Sequence, residues 1–261
     1  MKKYTILLLA SGASMLATPT QAATVFATFQ DGVDGYAGTR DTSLVQESPN
    51  NNYGDRVNVL IGAHGSGRQR AGVIGFDVTS LNGLYSTIAS VKLEFTVGVT
   101  TAGTNTWQLN LLREGNADWV EGSSNGEAEA GTATWNKKNT ANWLGGNSGA
   151  RLATDVYGSM ASMTFTNGST VTGNKVMVTL DPSSLDESVN TLDEMMNLWS
   201  GGTNAGIQIY GGSGQWSVDS KDNAVVANRP KLIVEYTPIP EPHSAALLGL
   251  GGVALVLRRR K

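Results

Sequence analysis

The chain of 261 residues contains no cysteine and two histidines, His64 and His243. Without thiols a domain outside the cytoplasm has no disulfide staples and depends on core size, which a chain of this length can supply. A zinc site built from Cys and His is excluded by count. A nucleophile–base triad has no support either, because it needs a base oriented by a third group. The one histidine outside the C-terminal tail, His64, sits in Gly62-Ala63-His64-Gly65-Ser66-Gly67 with no acidic neighbour close in sequence. Long apolar runs are also missing from the body of the chain, and the two that exist lie at its ends.

At the N-terminus, Lys2 and Lys3 precede an apolar stretch from Ile6 to Leu16 and a small-residue exit at Thr20-Gln21-Ala22. That is the layout of a secretory signal peptide cleaved after Ala22. At the C-terminus, the 14-residue segment Ser244–Leu257 is apolar from Ala245 on and is closed by Arg258, Arg259, Arg260 and Lys261. At the helical rise the run spans about 21 Å, against the roughly 30 Å that a stable span needs. It is short and Gly-rich for a permanent anchor, and its terminal cations hold it on the cytoplasmic side. Pro240-Glu241-Pro242 precedes it. The three parts in this order resemble the PEP-CTERM sorting signal of Gram-negative, exopolysaccharide-producing bacteria. The resemblance implies recognition and cutting by exosortase, a membrane transpeptidase, with transient tethering at the inner membrane before release or transfer to the cell surface. The expected organisation is a signal peptide at 1–22, a folded domain at 23–237 and a sorting segment at 238–261, with signal peptidase and exosortase as processing partners.

The ends hold six of the 19 basic residues and one of the 22 acidic ones, so the body carries 13 and 21, a net charge of −8. Binding phosphate backbones needs a clustered positive field, so nucleic acid is not an expected partner. A local basic patch for an acidic glycan is compatible with this balance.

Thirty-two glycines, many Thr, Asn and Ser, and short alternating runs point to β-sheet with many turns. The clearest run is Ser90–Val97, where Val91, Leu93, Phe95 and Val97 share one face and Lys92, Glu94 and Thr96 the other, as in a strand with one wet side. Further strands are expected at 24–29, 57–61, 71–78, 107–112, 162–165, 175–180, 206–210 and 231–236. The economical solution is an all-β fold, a two-sheet jelly-roll-type sandwich. One segment reads as helix: Leu185, Val189, Leu192, Met195, Met196 and Trp199 recur at spacings of three and four, starting near Ser188 or Thr191 and stopping at Gly201-Gly202. Met195 and Trp199 share a face and are expected to pack on the core.

A second set of landmarks covers nearly the whole body. They are Asn52-Tyr53-Gly54, Arg70 ahead of Gly75-Phe76-Asp77-Val78, Val91–Phe95, Asp118-Trp119-Val120-Glu121-Gly122, Thr134-Trp135-Asn136 with Trp143, Trp199 with Asn204-Ala205-Gly206-Ile207, and Arg229-Pro230-Lys231-Leu232. Their order resembles the DNRLRE domains, relatives of carbohydrate-binding module family 96. The resemblance implies a non-catalytic, surface-displayed β-sandwich that binds polysaccharide, including acidic glycans. Members often accompany lyases or hydrolases; no catalytic domain accompanies this one in the sequence.

Carbohydrate recognition needs flat aromatic faces beside planar polar groups. Trp107 begins a strand and Trp199 ends the helix, so both are expected in the core. Trp119, Trp135, Trp143 and Trp216 lie in Gly-, Asn- and Ser-rich surroundings and are expected on loops. Trp135 with Lys137 and Lys138 would form a stacking platform beside two cations, suited to a uronate, with Trp143 and Trp119 as neighbours. Arg68 and Arg70, at the edge of the His64 loop, are the other basic cluster. The acid pairs Asp118 with Glu121 and Glu127 with Glu129 are read as solvated loop charges rather than a glycosidase pair. No cofactor is expected; a structural calcium is the one metal the oxygen-rich loops leave room for. Asp31-Gly32-Val33-Asp34-Gly35 and Asp219-Ser220-Lys221-Asp222-Asn223 superficially resemble calcium loops but lack the closing acid and read as turns. Three roles follow: a surface glycan-binding module, a structural or adhesion protein of the exopolysaccharide matrix without a defined pocket, and, least supported, a secreted glycan-active enzyme.

Overall fold

The computed structural model describes residues 23–239 except 66, 101–103, 166–171, 186–187 and 212–213. The expected signal peptide and the sorting residues Pro240, Glu241, Pro242, Arg258, Arg259 and Arg260 lie outside the described residues. In chain order the strands are β1 (Val25–Phe29), β2 (Thr39–Val45), β3 (Asn51–Asn52), β4 (Asn58–Ala63), β5 (Gln69–Phe76), β6 (Tyr85–Thr96) and β7 (Asn105–Leu112). They continue with β8 (Glu127–Ala128), β9 (Val156–Phe165), β10 (Lys175–Thr179), β11 (Ile207–Gly211), β12 (Gln215–Asp219) and β13 (Lys231–Pro238).

Alternation in β6 sets the first layer. Val91, Leu93 and Phe95 turn inward, and the antiparallel order β1-β13-β6-β10 makes a four-stranded sheet around them. A seven-stranded sheet faces it, in the order β12-β4-β5-β11-β7-β9 with β2 on β5. Ile207 lies opposite Leu111 and Ile209 opposite Leu109, so adjacent strands present their aliphatic side chains to the same interior. Trp107 anchors that interior, its ring perpendicular to Trp216 at 5.3 Å and stacked near Phe95 at 6.0 Å. The two sheets meet at one corner: Gly98 N–H donates to Ser217 O and Ser217 N–H to Val99 O, each at 2.9 Å. The expected two-sheet sandwich with one short helix is therefore the observed architecture.

The large sheet differs from the small one in having both faces covered over β2, β5 and β11, whereas Thr106 and Gln108 of β7 and Ser162 and Thr164 of β9 stay exposed. Ala71 to Phe76 in β5 are all buried, the continuous run of a strand with no wet side. Ile74 and Phe76 enter the central core, while Ala71 and Val73 enter a second core on the outer face. The chain between β7 and β9, residues 113–155, folds over that outer face. Its only strand among the described residues is β8, paired with β3.

The helix is α1 (Leu192–Leu198), shorter than the periodicity predicted. Thr191 caps it: its hydroxyl accepts from Glu194 N–H, and the Glu194 carboxylate accepts from Thr191 N–H. Met195, Met196 and Trp199 are buried in the central core, as expected. Gly202, at φ +89°, ends the following turn.

Candidate functional site

Trp119, Trp135 and Trp143 are the second core, which corrects the expectation that they lie on exposed loops. They are 1 %, 4 % and 2 % exposed and pack with Leu44, Ala71, Val73 and Leu112. Trp119 Nε1 donates to Ala205 O at 2.8 Å, and the Arg40 guanidinium lies 4.2 Å over its ring. Trp143 Nε1 donates to Thr134 O at 2.9 Å. The Trp119 and Trp143 indoles thus find their partners inside, the Arg151 guanidinium lies 5.1 Å from the Trp135 ring centroid, and all three rings are buried. Trp216 is 2 % exposed in β12, so it too belongs to the core rather than to a loop. Lys138 is also buried: Nζ donates to Gly115 O at 2.6 Å and pairs with Asp118 at 2.5 Å, a tie inside the cover. Lys137 is exposed and borders a shallow hollow of about 530 Å³ with Glu129, Thr132 and Asn139. The expected platform of Trp135 beside two cations is therefore not assembled.

Arg68 and Arg70 fare differently. The turn from β4 to β5 is closed by His64 N–H donating to Arg68 O (2.8 Å) and Gly67 N–H to His64 O (2.7 Å), with Gly67 at φ +76°. On its other edge β4 pairs with β12, where Gly62 adopts φ +96° and Ala63 N–H reaches Gly214 O at 2.8 Å. A Cβ on Gly62 would collide with the Gly214 carbonyl, so this position needs glycine. From the β2 side, Gln46 N–H donates to Gln69 O at 3.0 Å, which sets Glu47 against Arg70, whose Nε and Nη2 both donate to Glu47 Oε1.

Between these elements lies a cleft of about 860 Å³ lined by Tyr53, Arg56, His64, Arg68, Arg70 and Trp216. Glu47 also lines it, with Asn58 and Gln215 among the polar groups. Arg56 Nε donates to Asn58 Oδ1 at 2.7 Å, a neutral partner. The cleft therefore gathers three guanidinium groups and one carboxylate, and that carboxylate is committed to Arg70. Its size is that of a small-ligand site. Sequence reasoning found Arg68 and Arg70 but missed Tyr53 and Arg56, which reach the cleft from the connection between β3 and β4, and Gln215, which reaches it from the start of β12.

The acidic residues are mostly structural. Asp118 holds Lys138 and Asn139, and Glu129 accepts from Ser123. Glu121 corrects the reading as a solvated loop charge: its side chain is 18 % exposed and its carboxylate accepts from Asp41 N–H at 2.7 Å. Among the described residues, Asp41, Glu121 and Asp222 are the one group of three acids whose oxygens converge, within 4.8 Å of one another, closely enough to hold a hard cation. The Lys221 ammonium stands in that position, 3.0 Å from Asp222 and 3.5 Å from Glu121. Burial pushes Asp41 well above the usual carboxylate range and Glu121 up to about 7. In the Asp31–Gly35 segment, Asp31 accepts from Thr39 N–H and Gly32, Asp34 and Gly35 have positive φ, the geometry of a turn.

Residues 238–261 match the PEP-CTERM protein-sorting motif. The class of protein follows: the chain is exported across the inner membrane of a Gram-negative bacterium, handled at its signal peptide, processed by exosortase and placed at the cell surface or outside it. The match covers the tail and overlaps the sandwich only at Pro238, the last residue of β13. No curated protein matches the chain.

Proposed function

We propose that the exported sandwich is a non-catalytic module that binds acidic polysaccharide of the extracellular matrix, with the cleft at the β4–β5 turn as its site. The observation that carries this reading is the charge of that cleft. In a body of net charge −8, Arg56 and Arg68 line one concavity with no carboxylate bonded to either among the described residues. Arginine presents a planar fork that matches a carboxylate or sulfate in two places, so a cleft with two guanidinium groups, one of them held by neutral asparagine side chains, suits a repeating anionic sugar. Tyr53 supplies an aromatic ring beside them, and Asn58 and Gln215 supply groups that read hydroxyls. The order of DNRLRE-like landmarks supports a polysaccharide ligand, and the surface address supplies contact with the matrix. A non-catalytic role is supported by the engagement of Asp118, Glu121 and Glu129 in structural bonds.

The test is retention of the secreted protein on immobilised polyuronate and on a neutral glucan, with reducing-end release assayed in the same wells. Saturable, salt-sensitive retention on polyuronate without product supports the reading. Equal retention on both polymers, or none, points to a matrix protein without a pocket, and released sugar points to an enzyme.

A further inference from the structure

The two described ends of the chain leave the sandwich side by side. In the four-stranded sheet Val25 lies opposite Tyr236 and Pro238 opposite Tyr85, and Ile239 N–H donates to Leu84 O at 3.0 Å. This pole carries unusual apolar exposure: Phe26 is 65 % exposed, Leu84 51 %, Ile239 48 % and Val25 38 %. The rings of Tyr85 and Tyr236 stand edge to face beside it, with centroids 6.5 Å apart. Aliphatic and tyrosine side chains together are the composition that settles at a membrane–water interface.

Distance ties the patch to a bilayer. The apolar part of the sorting tail begins at Ala245, six residues after Ile239. Fully extended, that connection reaches about 20–22 Å. While the tail is in the membrane, this pole stays within that distance of the surface, on the side away from the terminal cations. We propose that the pole formed by Val25, Phe26, Leu84 and Ile239 is a docking surface for the lipid interface of the inner membrane. It would seat the sandwich against the bilayer until the tail is cut, and the opposite pole would point away. The acids near it, Glu235 opposite Ser90 and Asp193 bonded to Ile88 N–H, add no attraction for anionic lipid, so the contact is apolar and insensitive to salt. This inference rests on the tail being a membrane-inserting sorting signal.

The absence of cysteine permits single-site labelling of the full chain. Three variants carry a fluorophore: L84C at the pole, K175C at the far end of β10, and A246C in the tail. Each is reconstituted into vesicles of phosphatidylethanolamine and phosphatidylglycerol containing a headgroup nitroxide quencher. The expected result is quenching of A246C, and quenching of L84C several-fold stronger than that of K175C, unchanged by high salt and reduced when F26S is added. Quenching of A246C with equal, weak quenching of L84C and K175C would overturn the docking surface while leaving the tether intact. An unquenched A246C would overturn the tether and the docking surface together.

Discussion

The outer faces of the two sheets show how one fold uses similar strands in opposite ways. On the small sheet the outer face is wet: Glu94 pairs with Lys231 at 2.8 Å and with Lys175 at 3.3 Å, and Met177 is 53 % exposed. Over β2, β5 and β11 of the large sheet the outer face is dry, because residues 113–155 lay Trp119, Trp135 and Trp143 across it. Glycine and asparagine surroundings do not make a tryptophan a surface residue when the loop that carries it is itself a layer of the fold. The charged, accessible concavity instead sits at the end of the large sheet, where the β4–β5 turn projects.

The sharpest way to break this comparison is to truncate one side chain on each face. Trp135→Ala should cost about 3–5 kcal/mol, as for a large aromatic removed from any core, read from urea denaturation of the processed protein. A cost below about 1 kcal/mol would mean that the cover is a loose loop.

Next in size is the cleft. Replacing Arg56 and Arg68 together by alanine should weaken polyuronate binding at least about tenfold, some 1.4 kcal/mol or more, and flatten its salt dependence, while the melting temperature holds. Both effects come from removing cations that have no structural ion pair.

The clasp of the cover should respond to pH. Glu121 and Asp41 have folded-state pKa values raised above their unfolded ones, so the favourable contribution is complete below about pH 4 and is lost as pH rises through about 7 for Glu121. Glu121→Gln keeps an acceptor for Asp41 N–H and removes the charge. It should flatten the fall in melting temperature between pH 5 and 8, by roughly 1–2 kcal/mol or 2–8 °C after allowance for partial exposure and Lys221. A parallel pair of curves would contradict this. The smallest effect belongs to the wet face, where Met177→Ala should change stability by less than about 0.5 kcal/mol.

Much of the frame was legible in the sequence, and the reason is periodicity. The alternation of Val91, Leu93 and Phe95 with Lys92 and Glu94 announces a half-wet strand, and the spacing of Leu192, Met195, Met196 and Trp199 announces a helix. The dry large sheet left its own trace in the unbroken Ala71–Phe76 run, which demands cover on both faces. β2 was not legible, because its burial rests on bonded polar groups: Asp41 accepts from Lys221 N–H, and the Ser43 hydroxyl accepts from Leu60 N–H. Arg68 and Arg70 stood out as neighbours in sequence. Arg56 and Tyr53 join them from the connection between β3 and β4, placed there by the tertiary fold, which no local pattern encodes.

The most direct measurement compares Trp135→Phe with the Arg56→Ala/Arg68→Ala double variant for polyuronate affinity in one titration series. The account predicts that Trp135→Phe binds as the parent does, whereas the arginine variant loses binding. Loss of binding in Trp135→Phe, with the arginine variant unchanged, would contradict it and return the ligand to the tryptophan-bearing cover.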